Sequence, residues 1–112
     1  MIRPPTDQEK AILLDGDDGF LCESDGVVVG KIAYRLLIGY TPDFPEFFIR
    51  DLAVFSDDPT VAARLIQAVG KHAKALGYSN CLFHVTADNP SMLRLLDSPR
   101  ASIDSYFVRI NT

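Results

Sequence analysis

The strongest constraint in this 112-residue sequence is a helix pattern set directly between two strand patterns. Val61, Leu65, Ile66, Val69, Ala73 and Leu76 fall at spacings of four, one, three, four and three and form one face of an α-helix that ends at Gly77. Ahead of it, residues 47–55 are rich in aromatic and β-branched side chains, broken only by Arg50 and Asp51, and read as a central strand. Behind it, residues 81–86 (Cys-Leu-Phe-His-Val-Thr) read as another strand. A crossover helix between two strands of one sheet makes them parallel neighbours. The helix start is marked by Ser56-Asp57-Asp58-Pro59, with Asp58 as the cap and Pro59 at the first helical position.

Antiparallel elements come first in the chain. Thr6 and Glu9 have capping-box spacing ahead of Ala11 to Leu14 and predict a short helix over residues 6–14. Two extended runs, Phe20 to Glu23 and Val27 to Tyr34, flank Ser24-Asp25-Gly26, and an Asp-Gly pair in that setting is a hairpin signal. Pro42, Pro45 and Gly39 make residues 39–46 a loop. Asn89-Pro90 opens a second, shorter helix through Leu96, and residues 103–110 read as a last strand. The expected architecture is a single α/β (α+β) domain over residues 1–112, with a mixed, mostly antiparallel sheet and helices on both of its faces.

Composition limits what such a domain does. With 15 acidic against 11 basic residues the formal charge is −4, which disfavours nucleic acid and anionic membranes as partners. No apolar run is long enough to span a bilayer and the first residues lack a signal-peptide layout, so a soluble, cytoplasmic protein is expected. Cys22 and Cys81 are far apart without metal-type spacing. Residues 15–19 (Asp-Gly-Asp-Asp-Gly) fail as a calcium loop, because Phe20 stands where the loop needs glycine and Gly26 where it needs glutamate. Cys81 and His84 are an odd number of residues apart on a strand and point to opposite faces, which disfavours a zinc site. His84 reads as a core histidine and His72 as an exposed one among lysines. Neither a hydrolase nucleophile elbow nor a nucleotide-binding Walker loop occurs. Tyr40, Phe44, Phe47 and Phe48, beside two prolines, exceed what a short loop needs, and Tyr40 and Phe44 are candidates for a homo-oligomer or partner interface.

Residues 20–33 (Phe-Leu-Cys-Glu-Ser-Asp-Gly-Val-Val-Val-Gly-Lys-Ile-Ala), the stretch Leu52-Ala53-Val54, the helix end Ala73-Lys74-Ala75-Leu76-Gly77 and Asn89 with its following helix resemble the GNAT superfamily of acyl-CoA-dependent N-acyltransferases. The resemblance spans roughly residues 19–110, with the family's first strand and an early helix lacking. It implies an N-acetyltransferase-like domain that uses acetyl-CoA, with Leu52, Ala53, Val54, Thr60, Val61, Ala62 and Asn89 at the cofactor and the Val54 N–H polarising the thioester carbonyl. Glu46 and Asp51 are the candidate catalytic carboxylates, and an acidic chain suits a cationic amine or basic peptide as acceptor. The family holds the coenzyme diphosphate on a loop of Arg or Gln, two residues, Gly, one residue, and Gly or Ala. This sequence has Asp57-Asp58-Pro59-Thr60-Val61-Ala62 there, and Leu96 where the family's acid tyrosine falls. Those departures define the alternative, a non-catalytic GNAT-fold interaction or assembly protein.

Overall fold

The structure, a computed structural model, describes residues 1–13, 17–38, 45–85, 88–97 and 110. Its centre is a sheet of five strands in chain order, β1 (Ile2–Arg3), β2 (Asp18–Ser24), β3 (Val27–Ile38), β4 (Pro45–Val54) and β5 (Leu82–Phe83). The first three pairings are antiparallel and β4 with β5 is parallel, as the crossover requires. The β2–β3 turn has Asp25 at φ 52° and Gly26 at φ 80°. Positive φ at both central residues gives a turn whose twist matches that of the strands it joins, which is why Asp-Gly works there.

The crossover is α1 (Val61–Ala75), whose Val61, Leu65, Val69 and Ala73 are buried. They pack on Cys22, Ile32, Phe47, Ile49 and Leu52, which share one face of the sheet, Ile49 and Leu52 because the ladder has one extra residue between them. Gly30 lets the helix approach, since a Cβ there would stand 2.6 Å from Val61 Cγ1 and 3.1 Å from Leu65 Cδ1. The helix ends at a left-handed Gly77 (φ 95°), whose N–H donates to the Lys74 carbonyl while that of Tyr78 reaches back to Ala73.

The opposite face buries Leu21 and Ala33. It is covered by the segment ending at Leu13, anchored by Lys31 Nζ donating to the Ile12 carbonyl at 2.9 Å. The helix expected over 6–14 is a 3-10 turn, Glu9–Ile12. Its capping box is present, with Thr6 N–H on Glu9 Oε1 (3.0 Å) and Glu9 N–H on Thr6 Oγ1 (3.3 Å). So short a helix has little stability of its own, and Glu9 is also drawn to Arg3, with oxygens 2.6 and 2.8 Å from the guanidinium. Arg3 reaches Glu23 as well, at 3.2 Å, and thereby fixes a two-residue strand that the sequence reading did not include.

Arg3 first and Thr6 second hold the Glu9 carboxyl down at about 2, from an ordinary 4.5. A depressed folded-state pKa stabilises above the unfolded value and stops doing so as pH falls through the folded one. In paired urea titrations, Glu9→Gln is therefore expected to lower the midpoint at pH 6, with the gap closing between pH 4.5 and about 2. A gap that persists at the acid end would exclude this ion pair as its source.

Toward the C-terminus, the second helix is a single turn, α2 (Pro90–Leu93), followed by a 3-10 turn at Arg94–Asp97 that contains Leu96. The expected strand over 81–86 contracts to β5. The expected last strand, residues 103–110, lies outside the described residues except for an exposed Ile110, as do Tyr40 and Phe44.

Candidate functional site

β4 and β5 pair only at Phe48 with Leu82 and Ile49 with Phe83. Immediately beyond, the β3–β4 register shifts between Ala33 and Tyr34, so that Arg50 is an extra residue on β4. A bulge bends its strand and increases the local twist, and here it falls where β4 leaves β5. Among the described residues no β4–β5 pair follows, and the backbone of Leu52 to Val54 borders the opening that this leaves.

The polarity of that backbone follows from two hydrogen bonds. Phe55 N–H donates to the Val29 carbonyl at 2.8 Å, so odd-numbered residues at this end of β4 face β3. The Leu52 carbonyl points the other way, where Asn89 Nδ2 donates to it at 3.0 Å. By the same alternation the N–H and C=O of Val54 point into the opening, and those of Ala53 do not. Asn89 has a second task, since its Oδ1 accepts from Met92 N–H at 3.2 Å and caps α2. One amide thus ties the start of α2 to β4 at the inner end of the opening.

α1 begins seven residues after Val54, and its N-terminus faces the same end of the sheet. Asp58 Oδ1 accepts from Thr60 N–H at 2.9 Å and from Thr60 Oγ1 at 2.7 Å. The Val61 N–H turns back to the Asp58 carbonyl at 3.4 Å, and Pro59 has no N–H to offer. The Thr60 hydroxyl, then its N–H, hold the Asp58 carboxyl below the usual range, so it is ionised at neutral pH. Thr60 itself is the cap residue of α1, with Pro59 just outside it and Asp58 two residues before it rather than at the cap. Of the residues expected at a cofactor, Leu52, Val54 and Asn89 meet at the opening and Thr60 and Ala62 lie at the helix start. Val61 has its side chain in the core against Gly30, and Ala53 is turned to β3.

The two expected catalytic carboxylates are not together. Asp51 is paired with Lys31 Nζ at 3.2 Å on the face away from α1. It is three residues from Val54, on the order of 10 Å along an extended strand. Glu46 is eight residues away, roughly 26 Å by the same rise.

Two clusters were not visible in the sequence. His72 is half-buried rather than exposed: Nε2 lies 2.9 Å from Tyr34 Oη, and the ring packs on Phe20 and Phe47. Burial, then the charge of Asp18, push the Tyr34 hydroxyl up. His84 is exposed just past β5, not in the core. Asp17, expected in a turn, is buried, with Oδ1 2.8 Å from Arg35 Nε and Oδ2 3.6 Å from Arg50 Nε. Among the described residues no three potential metal ligands cluster, and no helix is long and apolar enough to cross a membrane.

Neither a protein-family model nor a curated protein matches the sequence significantly. Solved structures match the fold. A ribosomal-protein-alanine N-acetyltransferase from Brucella melitensis biovar Abortus 2308 superposes with a TM-score of 0.71 at 17% identity, over 93% of this chain and 81% of the other. An aminoglycoside N-acetyltransferase solved in complex with CoA gives 0.70 at 18% identity, over 100% of both chains. The chain has the GNAT fold. A transcriptional regulator from Bacillus halodurans C-125 has a TM-score of 0.76 at 12% identity, over 100% of this chain and 99% of the other. The GNAT fold thus carries differently described proteins, and what this one does has to be argued from its own cleft.

Proposed function

We propose that this GNAT-fold domain transfers an acyl group from a CoA thioester to a cationic amine, at the opening between β4 and β5. The observation that carries the reading is the backbone of Val54, whose N–H and C=O both point into the opening. A thioester on a pantetheine arm supplies an activated acyl group, and its amides are complementary to a strand edge that no described residue pairs.

The chain's own residues divide the work. The Val54 C=O and N–H align the arm as an added strand would, and the N–H stabilises negative charge that develops on an acyl oxygen. Asn89 holds α2 against β4 and keeps the opening in shape. Asp51, the nearer carboxylate, receives the amine proton through water as the C–N bond forms and the C–S bond breaks; the thiolate is protonated from solvent. Glu46 is too distant for that transfer and adds to the negative field that attracts a cationic acceptor. Acetyl-CoA is the donor to try first, since a protein of this fold has been solved with CoA.

Calorimetry with acetyl-CoA tests the reading. Micromolar affinity, about −8 kcal/mol, is expected. Val54→Pro deletes the N–H in the opening without touching a β3–β4 hydrogen bond, because Val54 faces away from β3. It should weaken binding by up to about tenfold, the upper value of one charge-free hydrogen bond, with its melting transition kept. A second reading, a non-catalytic assembly protein, is favoured by the carboxylate at the start of α1. No heat at millimolar ligand, together with a change of mass in solution for Phe44→Asp, would select it instead.

A further inference from the structure

The start of α1 does not match the far end of a CoA molecule. A helix N-terminus binds a diphosphate through N–H groups that have no partner of their own. Here the Thr60 N–H and hydroxyl are given to Asp58 Oδ1, at 2.9 and 2.7 Å, and the Val61 N–H turns to the Asp58 carbonyl. Pro59 has no donor, and Asp57 places a second carboxylate beside the first. The position that favours an anion already contains one, covalently part of the chain.

We infer that the donor is recognised through its pantetheine arm alone, so that an acyl-pantetheine thioester lacking the adenosine diphosphate serves as well as acyl-CoA. This rests on the reading above and narrows its substrate class. The two ends of the site differ in kind: β4 offers at Val54 backbone groups that no described residue pairs, whereas α1 offers a start whose Thr60 and Val61 donors are turned to Asp58, with two carboxylates beside it. Transfer needs nothing from the missing part. The C–S bond that breaks and the C–N bond that forms both lie at the arm's end, the amine proton leaves through water, and the product thiol is pantetheine instead of CoA.

The experiment compares acetyl-CoA with S-acetyl-pantetheine by calorimetry on the full chain, as wild type, Asp58→Asn and Asp58→Ala. In the wild type the two dissociation constants are expected within about threefold of each other, because the charges of Asp57 and Asp58 offset what a diphosphate gains at the helix start. Asp58→Asn keeps an acceptor for the Thr60 N–H, so the helix start stays formed, and removes the charge. Asp58→Ala also frees the donors. Acetyl-CoA should bind tighter in the order wild type, Asn, Ala, by about tenfold at the end of the series, while S-acetyl-pantetheine moves less than about twofold. Wild-type protein that prefers acetyl-CoA by more than tenfold, or that loses acetyl-CoA affinity on Asp58→Ala, overturns this inference and leaves the acyltransferase reading standing. If neither thioester binds, the reading itself fails and this inference with it.

Discussion

Gly30→Val is expected to destabilise the protein by about 3 kcal/mol, the upper end of what inserting bulk into a packed core costs. A Cβ at this position would stand 2.6 Å from Val61 Cγ1, 3.1 Å from Leu65 Cδ1 and 3.3 Å from the Ala53 carbonyl oxygen. Val61 is fully buried and β-branched, so its methyl cannot swing clear and the first turn of α1 has to lift from the sheet. Gly30 is paired with both Cys22 and Val54, so the strain falls on the end of β4 that borders the opening. Urea unfolding measures the cost, and calorimetry on the folded fraction should show weakened thioester binding. Gly70 is the control: a Cβ on it meets nothing within 4 Å, and Gly70→Ala should gain up to about 1 kcal/mol from helix propensity. If Gly30→Val unfolds at the wild-type midpoint, close packing of α1 on β3 is not what requires the glycine.

Phe47→Ala should cost about 3–5 kcal/mol, as for other fully buried aromatic side chains. The ring is completely buried and stacks on Tyr34 at a centroid separation of 4.5 Å, with the rings of Tyr78 and His72 edge-on at 5.6 and 6.3 Å. Truncation leaves a void between β3 and the C-terminal half of α1, at the far end of the sheet from the β4–β5 opening. The loss should therefore appear in stability, with thioester affinity of the folded protein kept. Phe47→Leu refills most of the volume and should recover more than half of the loss, leaving about 1.5 kcal/mol. Equal losses for alanine and leucine would mean that ring stacking, not volume, holds this cluster.

What the sequence made legible is what local rules decide. The Asp-Gly turn, the buried face of α1, the Gly77 stop and the parallel crossover each depend on a few neighbouring residues. The features that shape the candidate site depend on distant ones. Nothing around Arg50 marks it as an extra residue, because a bulge is a property of the pairing between β3 and β4. Asp17 reads as a turn residue until Arg35 and Arg50 arrive from two other strands. Tyr34 and His72 are 38 residues apart, and their contact follows only from where α1 lies on the sheet. Ile2 and Arg3 are too few to show a period, and their strand is held by the ion pairs of Arg3. At the start of α1 the sequence identified Asp58 as helix-starting. That its carboxylate would take the Thr60 hydroxyl as well as the N–H emerged only from the geometry.

The Asp17 carboxylate has one further consequence. Its side chain is wholly shielded from solvent and binds Arg35 from β3 and Arg50 from the bulge of β4. Neither carboxylate oxygen has a hydrogen bond among the described residues, so the two guanidiniums are what offset this buried charge, and relaxing the bulge would move Arg50 away from it. These ion pairs favour the bend in β4 in the protein without ligand. A preformed cleft requires little ordering on association. Ligand entry should accordingly follow one concentration-dependent phase, with no slow isomerisation step ahead of it.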